Sequence, residues 1–224
     1  IQGIVRLPRT CLVRLGPNAL LQCVQVDAQG ARSIQRIHKD LFFDTLTETG
    51  NRRLLKQRLR EETAFAQRHE QTLGLLLADL DHFKRVNDAH GHQVGDRVLA
   101  EIGRVLRETV RSEDSVFRFG GEEFCILVRD TTAGGLLILA ERIRSAVAAI
   151  RMPSVCGTLR VTVSVGAATY GPGEHATRAT LVDDGHDEED PDSDELIHNT
   201  LLSRADQALY EAKAAGRNRV ELFG

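Results

Sequence analysis

The chain has 224 residues, 42% of them hydrophobic and 27% charged, with a formal net charge of −3; these are the values of a soluble globular protein with enough chain for one ordinary domain and an appendage. No run approaches the ~18 apolar residues that span a bilayer, and the start, Ile1-Gln2-Gly3, carries no signal-peptide pattern, so the expected setting is cytoplasmic, with a membrane or sensory region upstream left open. Cys11, Cys23, Cys125 and Cys156 make no C-x-x-C pair, which favours free thiols over a disulfide framework or a zinc site.

The net charge conceals an asymmetry. Asp183 to Glu195 holds nine acids and neither Lys nor Arg; without it, 29 bases face 23 acids, a net charge of +6. A mildly basic body suits a small polyanionic ligand.

Taken in order, residues 1–30 read as three short strands (Gly3–Leu7, Cys11–Leu15, Leu20–Val26) punctuated by Gly16-Pro17-Asn18 and Asp27-Ala28-Gln29-Gly30. Their order of strands, turn and short helix resembles the end of a PAS domain. Ser33–Phe43 reads as a linking helix, which sets residues 1–43 apart as an N-terminal segment from a main domain at 44–224. Arg52 to about Gln67 is a charged amphipathic helix with Leu54, Leu55, Leu59, Ala64 and Phe65 in helical period. Leu73–Leu80 is a continuous apolar run whose length suits a strand buried on both faces. His82–Val94 is mixed helix and loop. Gly95-Asp96 opens a helix over Arg97–Val110, with Asp96 suited to its N-terminal end.

Ser115–Phe119 and Glu122–Val128 read as a hairpin about Gly120-Gly121, where both central residues can take positive φ. Two acids just beyond such a tip are poor core material; a solvated turn competes with an active-site loop. Thr131 or Thr132 caps a helix to about Ile150, Leu159–Ala168 is a Val/Thr-rich strand, and Tyr170–Glu195 is a long acidic loop. Leu201–Ala215 is a helix stopped by Gly216, and Val220–Phe223 closes the chain as a strand. The order from Leu73 onward predicts an α/β fold: a ferredoxin-like, palm-type domain with a mainly antiparallel sheet flanked by helices.

If the strands carrying Asp79 and Glu122 are neighbours, the two carboxylates converge at one edge of the sheet, as a donor set that Mg²⁺ accepts together with substrate phosphates. Ordinary strand-end acids are the competing reading of Asp79 and Asp81. His82, His90 and His92 do not match zinc spacing and read as structural or solvated.

Several separated motifs now stand in sequence: Asp44-x-Leu46-Thr47 with Asn51-Arg52; Asp79-Leu80-Asp81-x-Phe83-Lys84-x-x-Asn87-Asp88; Gly91-His92-x-x-Gly95-Asp96; Gly120-Gly121-Glu122-Glu123-Phe124; Val163-Ser164-Val165-Gly166; and Ala205-Asp206-x-Ala208-Leu209-Tyr210-x-Ala212-Lys213 with Gly216-Arg217-Asn218. In that order, from about Asp44 to Phe223, the chain resembles the GGDEF-domain diguanylate cyclases in the GGEEF form of their signature. The resemblance implies an enzyme that condenses two GTP into cyclic dimeric GMP and two pyrophosphates as an antiparallel homodimer, with no nucleic-acid partner. It implies Mg²⁺, with Mn²⁺ as the alternative ion, on Asp79, Glu122 and the Leu80 carbonyl. Glu123 supports that site or helps deprotonate the 3′-hydroxyl. Gly120 and Gly121 lie against the nucleotide, Asn87 and Asp96 read guanine, and Lys84, Lys213 and Arg217 hold triphosphate oxygens, the last two sharing a helix face or its end. Phe83 packs beside the substrate site.

The resemblance also implies an inhibitory product site at Arg111-x-x-Asp114, supported by Arg142; as bare sequence, R-x-x-D is more often a surface ion pair. Two departures stand out. Glu48 replaces the family's glycine after Asp-x-Leu-Thr, so that turn is expected to differ, and the loop at about 171–195 is long, readable as an insertion, a regulatory arm or an electrostatic brake. A silent domain that senses GTP or cyclic dimeric GMP is the rival reading, weakened by the retained Asp79, Glu122 and Glu123; a cyclase of adenine nucleotides is a second, weakened by Asp96.

Overall fold

The computed structural model describes residues 10–14, 20–24, 28–154, 157–171 and 193–224. The expected strand at Gly3–Leu7 and most of the acidic loop lie outside the described residues. The chain divides into two compact units, Ile1–Leu41 and Phe42–Gly224.

In the first unit, β1 (Thr10–Arg14) and β2 (Leu20–Val24) pair antiparallel. Helix α1 (Ala28–Phe42) begins five residues before the expected Ser33, so Ala28-Gln29-Gly30 is helical and not the predicted turn. A lone glycine in a helix costs only about 1 kcal/mol, which the periodic residues that follow outweigh.

The second unit runs α2 (Arg52–His69), β3 (Leu73–Leu80), α3 (Phe83–His90), α4 (His92–Thr109), β4 (Ser115–Arg118), β5 (Glu123–Arg129), α5 (Ala133–Ala149), β6 (Met152–Ser154), β7 (Gly157–Leu159), β8 (Val163–Tyr170), α6 (Ser193–Ala214) and β9 (Val220–Leu222). Five strands form one sheet in the order β4-β5-β3-β8-β9, antiparallel except for the β8–β9 pair; β6 and β7 make a separate small hairpin, so the segment read as one strand from Leu159 is two elements. The predicted α/β class with a mainly antiparallel sheet is observed.

All eight residues of β3 are buried, and strand alternation divides them between two cores. Leu76, Ala78 and Leu80 join Phe124, Ile126 and Val165 against α4 and α5. Leu73, Leu75 and Leu77 join Cys125, Leu127 and residues of α2 and α6. Both helical layers therefore depend on the middle strand. The buried Glu62 of α2 also pairs with Arg129 at the end of β5.

Two helix boundaries and one strand connection correct expectations. Helix α4 starts at His92, one residue after Gly91 (φ +81°) breaks the chain away from α3, so Asp96 lies beyond the first turn. Helix α6 starts at Ser193, absorbing the last residues assigned to the loop. The Gly-Gly turn is wider than a two-residue hairpin: residues 119–122 connect β4 to β5, and neither Gly120 nor Gly121 has positive φ. The amides of Phe119 and Gly120 both donate to the Glu123 carbonyl, at 2.8 and 3.3 Å, which closes the loop without left-handed residues.

The turn after α1 covers the free edge of β4. The Gly50 amide donates to the Val116 carbonyl at 2.9 Å, and the Arg118 amide to the Gly50 carbonyl at 2.7 Å, protecting an edge strand that would otherwise be open to pairing. Asp44 accepts from the Thr47 amide (2.8 Å) and hydroxyl (2.7 Å) and from both sides of the Arg118 Nη1 approach, at 3.2 and 3.1 Å. The same guanidinium donates to the Gly121 carbonyl from Nε (3.2 Å) and Nη2 (2.7 Å). One arginine thus joins the Asp44 turn to the glycine loop. Glu48 takes the left-handed conformation at φ 55°, and Arg107 donates to the Thr47 carbonyl and to Glu48 at 3.4 Å, so the missing glycine is accommodated by strain with a clamp from α4.

Two tests follow from this packing. At Gly166 of β8 an added Cβ meets the Ala205 carbonyl at 2.1 Å and the Leu209 amide at 2.3 Å, backbone atoms of α6 that cannot swing aside. Gly166→Ala is expected to cost about 2–3 kcal/mol, read from urea midpoints at unchanged slope. Burial of Asp44 works to raise its pKa, but the Thr47 hydrogen bonds and the Arg118 charge prevail and hold it below the usual carboxylate range. A depressed folded-state pKa stabilises fully above the unfolded value of about 4, and that stability is lost as pH falls through the folded value. Asp44→Asn is therefore expected to lose about 1–2 kcal/mol near neutrality and to lack the wild-type loss at acid pH; equal losses in both proteins across pH 3–7 would refute the role of the bridge.

Candidate active site

The register of the sheet builds one end of the site. Asp79, near the carboxyl end of β3, lies opposite Glu123 on β5 and Ser164 on β8; directly opposed residues share a face, here the face toward α6. From α6, Lys213 Nζ reaches Asp79 Oδ2 at 3.0 Å. Glu122 sits in the loop just before β5, where its carbonyl accepts from the Leu80 amide at 3.3 Å. Burial pushes the Asp79 carboxyl up, offset in part by Lys213 and Arg217. Burial also raises Glu122, and the Asp79 charge raises it further. Asp79 thus acts on Glu122 electrostatically at this end of the sheet, with Lys213 in contact with Asp79.

Gly120 and Gly121 differ. An added Cβ at Gly120 meets Glu123 Oε2 at 2.4 Å, so this glycine leaves room for a carboxylate of the chain itself; at Gly121 nothing lies within 4 Å. Arg217 stands in the turn beyond α6 at φ 65°, so it shares no helix face with Lys213, although both bring positive charge to Asp79.

Asn87 of α3 reaches α4 at Gly95, across the Gly91 break. A Cβ at Gly95 meets Asn87 Oδ1 at 1.9 Å and the Phe83 ring at 3.1 Å; the glycine before Asp96 seats the asparagine on the buried Phe83. Asp96 and Lys84 are exposed, and Lys84 is not among the charges that shift Asp79.

Arg111 and Asp114 lie at the opposite end of β4 from the glycine loop, four strand residues away, about 14 Å. Asp114 turns back on the main chain, accepting from the Arg111 amide at 3.1 Å, and its Oδ1 is buried with no hydrogen bond; burial raises its pKa, offset by the Arg111 and Arg129 amides. The Arg111 guanidinium is exposed and only 4.0 Å from Glu113. Both residues line a cavity of about 290 Å³ with Arg58 and Arg107. Arg142 is not on that wall; it donates to the Thr109 carbonyl at 2.7 Å.

Two residues escaped assignment from sequence. Arg118 holds the glycine loop, and its signal was a basic residue ending an otherwise apolar strand. Asp81, buried, accepts from Thr162 (2.6 Å) and Ser164 (2.7 Å) hydroxyls and from the Asn218 amide (3.0 Å), tying β3, β8 and the turn after α6 together. No group of three or more His, Cys, Asp or Glu among the described residues is arranged to hold a metal, the three histidines near α3 included. No helix among them is long and apolar enough to cross a membrane.

Comparison with known proteins gives the arrangement a family. Residues 41–187 match the family described as diguanylate cyclase, GGDEF domain. The chain is 38% identical over 185 residues to the diguanylate cyclase DosC of Escherichia coli K12, covering 82% of this chain and 35% of that protein. It is 35% identical over 193 residues to the diguanylate cyclase DgcS of Shewanella oneidensis, covering 86% and 56%. The chain thus spans about a third to just over half the length of these relatives. Among solved structures, the coiled coil and GGDEF domain of DgcB from Caulobacter crescentus, in complex with c-di-GMP, superposes with a TM-score of 0.72 at 27% identity, covering 87% of this chain and 92% of that one. With a family match over residues 41–187, the fold shared with DgcB and the carboxylates set around a glycine loop, this chain belongs to the GGDEF domain family.

Proposed function

We propose that this chain is the catalytic part of a diguanylate cyclase, joining two GTP molecules into cyclic dimeric GMP with release of two pyrophosphates. The observation that carries the reading is the pairing of Asp79 with Glu122 beside an open glycine loop, with Lys213 at the same carboxylate. Residues 1–43 form, in this reading, the tail of a sensory or linking segment, and residues 44–224 the cyclase domain in a cytoplasmic setting.

The donor set fits a divalent cation. Asp79, Glu122 and the adjoining Glu123 carry more negative charge than Lys213 and Arg217 balance, and burial raises Asp79 and Glu122; Mg²⁺ is commonly held by one or two carboxylates plus substrate phosphates. Asp79, Glu122 and the Leu80 carbonyl would hold it; when bound, Mg²⁺ or Mn²⁺ would supply positive charge for the phosphate oxygens and acidify the attacking hydroxyl. Lys213 and Arg217 take triphosphate oxygens at the end of α6, and Lys84 approaches them from α3. Asn87 and Asp96 receive the guanine, the carboxylate accepting from its N1–H and exocyclic amine. Gly121, with no side chain and open space around it, lets the loop backbone lie against the nucleotide.

Each domain holds one nucleotide, so two copies meet antiparallel. Each 3′ oxygen bonds to the α-phosphorus of the other GTP, the bond from that phosphorus to its bridging oxygen breaks, and pyrophosphate leaves. Glu123, opposite Asp79, takes the hydroxyl proton or orients the group that does. Holding hydroxyl and phosphorus in line is the larger part of the catalysis. Product docks at Arg111 and Asp114, far enough along β4 to leave the reacting end free, with Arg142 as a further contact.

Purified chain with Mg²⁺ is expected to turn GTP, and not ATP, into a product with the mass of cyclic dimeric GMP. Glu122→Ala is expected to lose this product while keeping its far-UV spectrum and melting temperature; a folded wild-type chain that binds GTP without product would instead establish a silent nucleotide sensor. In the same assay Arg111→Ala is expected to raise the product concentration that halves the rate by about tenfold, since a charge-assisted hydrogen bond is worth roughly 1.5–3 kcal/mol. An unchanged inhibition curve would leave the R-x-x-D turn a structural role alone.

A further inference from the structure

Helix α2 lines a groove of about 890 Å³ beside the glycine loop. Four exposed cations face it, Arg52, Arg53, Lys56 and Arg60. Among the described residues the acid in its lining is Glu61, whose carboxylate already accepts from Gln57 and Arg58 at 2.9 Å each. Arg52, Lys56 and Arg60 recur at i, i+4 and i+8, one stripe along the helix, and like charges at that spacing repel. Two of the guanidiniums are spread over aromatic rings: Arg52 lies 5.1 Å from the Phe119 ring centre and Arg53 lies 5.6 Å from that of Phe42. Stacking of this kind holds a cation along the groove rather than letting it extend into solvent. Leu55 and Leu59 are buried beneath. The result is a basic surface with an apolar floor, shaped for an acidic polypeptide.

We propose that this groove is a docking site for an acidic polypeptide and that its occupant is the chain's own stretch from Asp183 to Asp192. That stretch carries seven acids among ten residues and no Lys or Arg, the complement of the groove. It is also tethered beside it. The stretch runs directly into α6 at Ser193, and Leu202 of that helix lines the groove. Nine helical residues cover about 14 Å, so the acids are presented at a high effective concentration without any second molecule. The contact is distinct from the carboxylate site and independent of the cyclase chemistry, although the groove includes Phe119, the residue before the glycine loop.

Carbodiimide coupling, which joins a lysine amine directly to a carboxylate, reads this contact on the full chain, because Lys56 is the one lysine among the described residues that line the groove. The expected product is an amide between Lys56 and an acid within Asp183–Asp192, mapped by mass spectrometry. Its yield is expected to fall about fivefold between ~20 mM and ~0.5 M salt, over which the Debye length shrinks from roughly 20 Å to about 4 Å. Arg52→Glu combined with Arg60→Glu, with its far-UV spectrum unchanged, is expected to remove the product although Lys56 remains. A mixture of unlabelled and ¹⁵N-labelled chains identifies the occupant: coupling within one isotope species supports the proposal, and coupling between species places a second copy there and overturns it. Absence of the Lys56 product, a yield indifferent to salt, or its persistence in the folded reversed-charge variant overturns the proposal as well.

Discussion

The structure depends on burying β3 on both faces. Once every residue from Leu73 to Leu80 is out of water, each face needs its own helical layer, and the polar end of the strand must emerge where the layers part. Asp79 sits at that exit. The residue is 8% exposed, and its charge would be costly without compensation, because desolvation disfavours the ionised form. Lys213 supplies the compensation from α6, 134 positions away in the chain. The pair is therefore a consequence of sheet topology, and the same topology brings Glu123 and Ser164 directly alongside.

Close backbone approach sets how accurately those groups meet. Gly166 lets α6 rest against β8 with main chain on main chain, which positions Lys213 and the turn through Arg217. Gly103 does the same for α4, where an added Cβ would stand 2.6 Å from the Thr47 carbonyl; the helix and the Asp44–Gly50 turn then lock through Arg107. Gly95 seats Asn87. These three glycines serve packing, and Arg118 carries the resulting order to the glycine loop by binding Asp44 with one nitrogen and the Gly121 carbonyl with two others. A displacement of the turn after α1 is thereby felt at the loop through a single guanidinium.

The two ends of β4 carry different chemistry for the same reason. The strand is short, so the carboxylate site and the R-x-x-D turn are separated by about 14 Å of rigid backbone. Asp114 spends one oxygen on the Arg111 amide and leaves the other buried without a hydrogen bond, an arrangement that costs stability.

Much of this was legible in the amino-acid order. The eight-residue apolar run specified a doubly buried strand, the Thr131-Thr132 pair and Gly216 marked helix ends, and the glycine-acid signature with its companion motifs specified the family, because alternation, capping and motif spacing are local properties. Helix starts were less legible: Ala28-Gln29-Gly30 and His92 to Gly95 are locally ambiguous, and packing of the residues that follow decided them. The width of the glycine loop, the left-handed Glu48, the departure of Arg217 from the helix face and the clamps made by Arg118, Asp81 and Arg107 were decided by the tertiary structure alone. Each depends on which strand lies beside which and on where a distant helix ends, and those are contacts between segments that no local pattern encodes.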